Sequence, residues 1–246
     1  MSGDSSQPMQ QASLAEARAY FDALPEQLAD CLDADYRRAL DNLLEALNQF
    51  FDILETIDHQ AAEGQRISPA EATEIGNHGI VLLLQMIDLM EKLDLPHKRH
   101  ELEHIALVFA RWIIEHGGEL QHLEPLVNAF AHAANRMQDR AQLRQLAELM
   151  GQVVDAASAE LKQDLGGQEL YRPWRLLHIN RGIVATRSQD TELMRRVFDE
   201  MLFYLPQEAA SFFEEGMEEM DAMDYPPHVR QLIEEYHAKR HNPRLH

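Results

Sequence analysis

Tyr171-Arg172-Pro173-Trp174-Arg175-Leu176-Leu177-His178-Ile179-Asn180-Arg181-Gly182-Ile183-Val184-Ala185-Thr186-Arg187 is apolar on more than one side at helical spacing, yet it carries Arg, His and Asn inside the apolar run. A helix with that pattern is expected to be enclosed by neighbours, because a single wet face would leave one clean polar stripe. Ser188-Gln189-Asp190 follows, and Asp190 has the side-chain oxygen needed to cap the next helix. That helix reads from Thr191 to Tyr204, with Leu193, Met194, Val197, Phe198, Met201 and Leu202 on one stripe, and Leu205-Pro206 ends it. Two helices joined by three residues pack antiparallel, and this pair sets the pattern for the chain.

Working back from it, Ser13-Leu14-Ala15-Glu16 is a capping box opening a short helix through Leu24, expected to stop at Pro25. From about Asp35, apolar residues recur every three or four positions from Leu40 to Ile57, giving one long amphipathic helix that ends near Gly64. Ser68-Pro69-Ala70-Glu71 combines a second capping box with proline at the first helical position. The helix it opens completes a long hairpin over residues 35–93. Another runs from Leu95-Pro96 to Gly117-Gly118, its partner carries Leu123 to Met137, and Asp139 caps one expected to continue to about Asp164. Beyond the central pair, Pro206 opens a helix with Phe213, Met217 and Met220 inward, and a last one follows Pro226-Pro227. The stripe Met217, Met220, Met223 reads as core at this spacing, or as an adaptable protein-binding surface if exposed.

No stretch shows the period-two alternation of a strand. The expected fold class is all-α: about ten helices in antiparallel pairs, forming an irregular α-solenoid or repeat-like helical array. Residues 1–11 read as a disordered leader, and 12–246 as a single all-helical domain, with repeat-like helix pairs over 97–240.

Composition narrows the function classes. The net charge is -20, from 42 Asp and Glu against 22 Lys and Arg. That field repels phosphate backbones, which excludes nucleic acid as a main partner and disfavours an anionic membrane surface. No apolar run approaches the roughly 20 residues of a membrane span. Cys31 is the single cysteine, so neither an internal disulfide nor a cysteine-based zinc cluster can form, and with no signal-like leader a cytoplasmic location is expected. The terminal helices are charged enough to cap a monomer, and a homodimer is the other expected state.

From Trp174 onward, the helix lengths, the short turns and the proline after the second helix resemble tetratricopeptide-type repeats, whose helix pairs stack around a concave face. Leu177 follows Trp174 at that family's spacing. His178 stands where a small residue is usual, Arg181 where an aromatic is usual, and Pro206 lies a turn late. The resemblance covers the C-terminal half as architecture, and it implies a scaffold that binds a protein or peptide without catalysis or cofactor.

Two residue sets are candidates for the functional site. On a helical projection Trp174, His178 and Arg181 share one face, with Arg175 and Asn180 at its margin. An aromatic plane beside a guanidinium can receive a carboxylate. The same arginines can equally pair with the acid-rich helices that follow, since no Lys or Arg occurs between Val197 and Val229. The second set is His100-Glu101-Leu102-Glu103-His104, an H-E-x-x-H motif in which His100 and His104 would hold a metal and Glu101 would act as general base of a hydrolase. His97, His100 and His104 form one stripe turned away from the apolar face of Ile105, Phe109 and Trp112, so they are expected at the solvent side.

Overall fold

The structure, a computed structural model, describes residues 13–29, 32–163, 172–222 and 225–239. Among them it is all-α, with eleven helices: α1 (Leu14–Gln27), α2 (Ala34–Ala62), α3 (Pro69–Lys92), α4 (Pro96–Glu115), α5 (Glu124–Arg136), α6 (Arg140–Ala156), the single turn α7 (Ala159–Lys162), α8 (Arg172–Ser188), α9 (Thr191–Tyr204), α10 (Pro206–Ala222) and α11 (Pro227–Lys239). The chain divides into two compact units, residues 1–132 with 156–158, and residues 133–155 with 159–246.

The starts are where the caps put them. Ser13 and Ser68 each accept a hydrogen bond from the backbone three residues on, while Glu16 and Glu71 reach back to the cap nitrogens. Asp33, Asp139 and Asp190 supply side-chain caps to α2, α6 and α9. Each cap satisfies amide groups that the first helical turn leaves without partners.

Two ends differ from expectation. α1 runs on through Pro25 to Gln27, because a proline close to the C-terminal end removes only one hydrogen bond and Leu28 N still donates to Leu24 O at 3.0 Å. α6 stops at Ala156 instead of continuing to Asp164, a residue outside the described ones. Here backbone pairing competes with the helix: Leu120 N donates to Ala156 O at 2.7 Å and Ser158 N to Leu120 O at 2.9 Å, a lone β-bridge. Cys31, Met223 and Gly166-Gly167 also lie outside the described residues.

In the first unit α2, α3 and α4 pack in sequence, and α1 lies against α2 and α4. The α3–α4 pair is antiparallel: Arg99 at the start of α4 meets Glu91 near the end of α3, and Gly76 near the start of α3 meets Ile113 near the end of α4. Phe21, Phe50, Phe51 and Phe109 form the aromatic centre, with neighbouring rings 5.0–6.0 Å apart. The turn after α4 is tied to α3 by polar side chains. Asn77 Nδ2 donates to Glu119 O at 2.8 Å, Asn77 Oδ1 accepts from Gln121 N at 2.8 Å, and Thr73 Oγ1 accepts from Glu119 N at 2.8 Å. A buried amide saturated in this way fixes the turn's path.

In the second unit α8 pairs with α9 and α10 with α11, while α9 also meets α10 and α11. The cluster Phe198, Phe212, Phe213 and Tyr236 fills the centre. Tyr236 is fully enclosed, and its hydroxyl donates to Asp199 Oδ1 at 2.6 Å. Among the described residues no helix is long and apolar enough to cross a membrane.

Two glycines in equally regular helices predict opposite effects of the same substitution. A Cβ on Gly79 would lie 2.1 Å from the Phe50 ring, which is locked among Phe51 and Phe109; one on Gly216 would meet Ile233 at an ordinary 3.5 Å. Gly79→Ala is therefore expected to destabilise by about 1–3 kcal/mol through overpacking. Gly216→Ala should instead stabilise by up to about 1 kcal/mol through helix propensity. Urea unfolding followed by circular dichroism checks both signs.

Candidate functional site

α8 is built around a buried cation. Arg181 is 3% exposed; its Nε donates to Ala147 O at 3.1 Å, and its guanidinium is ion-paired with Glu200 of α9. Gly151 on α6 leaves the space the guanidinium occupies, since a Cβ there would lie 2.6 Å from an Arg181 terminal nitrogen. Arg187, two turns on, donates to Ala134 O and Met137 O, both at 2.7 Å, and so takes up carbonyls at the C-terminal end of α5. Arg175 reaches Glu208 of α10 at 3.1 Å.

The other members of the sequence-derived set are placed as follows. Trp174 and His178 are both buried, with ring centroids 4.4 Å apart and edge-on, and Tyr204 of α9 stands 6.0 Å from Trp174 and 5.6 Å from His178. Trp174 Nε1 and His178 Nε2 find no hydrogen-bond partner among the described residues. Asn180 is half-buried. Trp174, His178 and Arg181 do share one face, and that face is covered by α9 and α6. Burial, with a smaller contribution from the Arg181 charge, pushes His178 down to about 4.

The opposite face of α8 is the one left open, so the helix is not enclosed on every side. Ile183 is 45% exposed and, with Ile179, lines a cleft of about 600 Å³ whose other walls are α10 and α11. Phe212, Met220 and Ile233 make the rest of its apolar surface, and Glu208, Glu215 and Glu219 edge it on α10. The positions 208, 212, 215 and 219 recur at one helical turn, so a single stripe of α10 presents both the acids and the phenylalanine. The sequence reading missed this face: the apolar run on α8 suggested enclosure, and nothing in the pattern distinguished the covered side from the uncovered one.

In the first unit Glu101, the acid of the H-E-x-x-H motif, is bound up with its neighbours. Burial pushes Glu101 upward, but hydrogen bonds from Lys98 and Tyr20 outweigh it and leave the carboxyl below its usual range. Lys98 Nζ lies 2.7 Å from Glu101 Oε2, so this carboxylate is already engaged and is poorly placed as a general base. The group that comes together is His100, Glu103 and His132, whose ligand atoms all lie within 4.8 Å of one another; His104 is not among them. Glu103 is 1% exposed although it lies away from the apolar face of Ile105, Phe109 and Trp112, while Lys98 is buried on that apolar face, one turn before Leu102. His132 arrives from α5, and a ligand supplied across helices leaves no spacing signal in the chain.

No family model matches the chain, and comparisons with curated proteins and with solved structures likewise give no match.

His178 predicts a pH dependence whose sign can be worked out. Its folded value of about 4 lies below the ordinary 6.5, so the unfolded chain takes up the proton first as pH falls. The histidine's contribution is complete above about pH 6.5 and is lost progressively towards pH 4, amounting to about 3 kcal/mol. Urea unfolding of wild type and His178→Gln at pH 7.5 and 4.5 checks it. The wild type should lose more stability than the variant over that interval, by about this amount.

Proposed function

We propose that the chain is a non-catalytic helical protein that binds another protein, and that its second unit receives a short basic, amphipathic segment in the cleft of α8, α10 and α11. The observation that carries this reading is the cleft itself: an apolar floor at Ile179, Ile183 and Phe212 beneath a row of carboxylates. An exposed isoleucine beside half-buried Ile179 and Phe212, set in a concavity and rimmed by charge, favours a partner over water.

The charges select the partner's chemistry. Arg187 lies in the wall but gives two of its nitrogens to backbone carbonyls, and Arg175 is engaged with Glu208. Glu215 and Glu219 form no ion pair among the described residues. The cleft edge therefore keeps negative charge in a chain whose net charge is already -20, and Lys or Arg on the incoming segment complements it. A partner helix with apolar residues at i, i+4 and i+7 would set them against Ile179, Ile183 and Phe212. The likeness of the α8–α11 region to tetratricopeptide-type helix pairs supports the same reading by analogy of architecture.

Selection from a displayed random-peptide library tests it. The expected winners carry apolar residues at helical spacing together with Lys or Arg. Their affinity should fall at least tenfold with Ile183→Asp, and also with the charge reversal Glu215→Lys combined with Glu219→Lys. Selected peptides that lack basic residues, or that bind the Ile183→Asp protein equally well, would count against this site.

A further inference from the structure

We propose that His100 Nδ1, Glu103 Oε2 and His132 Nε2 form a three-ligand site for a first-row divalent cation of the zinc type. This inference concerns the first unit and is independent of the peptide cleft.

The geometry is that of ligands facing a common centre. Glu103 Oε2 lies 3.4 Å from His100 Nδ1 and 3.7 Å from His132 Nε2. Both distances exceed the 2.7–3.2 Å of a well-made N–H···O hydrogen bond. They are close to the edge of a tetrahedron with bonds of about 2.1 Å, roughly 3.4 Å. The two imidazole rings are 3.9 Å apart between centroids, so both nitrogens converge on the same oxygen. At these distances neither imidazole makes a well-formed hydrogen bond to that oxygen, whereas a cation between them would bond all three ligand atoms.

The carboxylate is also held as a ligand is held. Its other oxygen, Oε1, accepts from Arg99 Nε at 2.9 Å and from Asn128 Nδ2 at 3.0 Å, which leaves Oε2 turned towards the histidines. Outer partners of this kind fix a ligating carboxylate's orientation and strengthen binding. Arg99 is itself paired with Glu91, so its charge is shared between two carboxylates rather than directed wholly at the site. The buried Glu103 forms the base, while the His100 and His132 side chains remain 47% and 41% exposed, which gives an entry path from solvent. Two imidazoles and one carboxylate suit zinc, cobalt or nickel better than magnesium or calcium, which take all-oxygen sets. Three protein ligands leave at least one coordination position for water or another donor.

The test is calorimetric titration of the untagged full chain with Zn2+, and with Mg2+ for comparison, alongside the visible spectrum after adding Co2+. The expected result is one Zn2+ per chain, no comparable Mg2+ binding, and a cobalt spectrum of low coordination number. His100→Ala, His132→Ala and Glu103→Gln should each weaken Zn2+ at least tenfold, while His97→Ala and His104→Ala leave it unchanged. Far-UV circular dichroism confirms that each variant is folded, and the two exposed histidines keep the test decisive if Glu103→Gln is not. The proposal is overturned by wild-type protein that shows no saturable Zn2+ binding. It is equally overturned if binding survives both His100→Ala and His132→Ala, or is lost as much with His104→Ala.

Discussion

A guanidinium enclosed by helices needs acceptors, and Arg181 finds them on two different helices, which ties α8 to both. Its acceptors come from α6 and α9, and its volume is accommodated by Gly151. Once this side chain is in place, α8 has no rotational freedom about its own axis: turning it would strand the charge in a medium where an unpaired ion costs several kcal/mol. Trp174 and His178 then face inward with Arg181, and Ile179 and Ile183 are left outward. The cleft is thus a by-product of where the arginine must point, and its apolar floor is the side of α8 that the ion pair turns away from the core.

The first unit shows the same logic with the sign reversed. Glu103 is a buried carboxylate on a helix whose neighbouring histidines are only half covered, and one of its oxygens accepts from a guanidinium and an amide. Arg181 is buried on the face of α8 that carries Trp174 and Ala185, whereas Glu103 is buried on the side of α4 away from Ile105, Phe109 and Trp112.

The fold was largely readable from the chain because its signals are local. Capping boxes at Ser13 and Ser68, the Asp139 and Asp190 caps, and the three- and four-residue spacing of Leu40 to Ile57 are decided within a turn or two of the residues concerned. What failed to show was whatever depends on residues distant in sequence. The end of α6 is set by Leu120, some 36 positions earlier, whose backbone takes the hydrogen bonds that a longer helix would have used. The burial of Glu103 left no mark in the sequence because Asn128 and His132 belong to another helix. The H-E-x-x-H spacing gave no sign that His100 would lie beside Glu103 and His132, since a residue contributed by another helix leaves no spacing signal. On α8 the residues named from the sequence were correctly placed together on one face, but periodicity carries no label for which face a neighbour will cover.

The bridge between Leu120 and Ala157 has a consequence for how the chain can be taken apart. Residues 156–158 belong with the first unit although the segments on either side of them belong with the second, so neither unit is a continuous piece of polypeptide. A fragment cut after residue 132 would keep α1 to α4 yet lose the backbone that receives Leu120 N–H and donates to its carbonyl. Limited proteolysis or genetic dissection at that point should release a segment with an unsatisfied turn beside the Asn77 clamp, and a soluble half is better sought by deleting from the carboxyl end beyond residue 158.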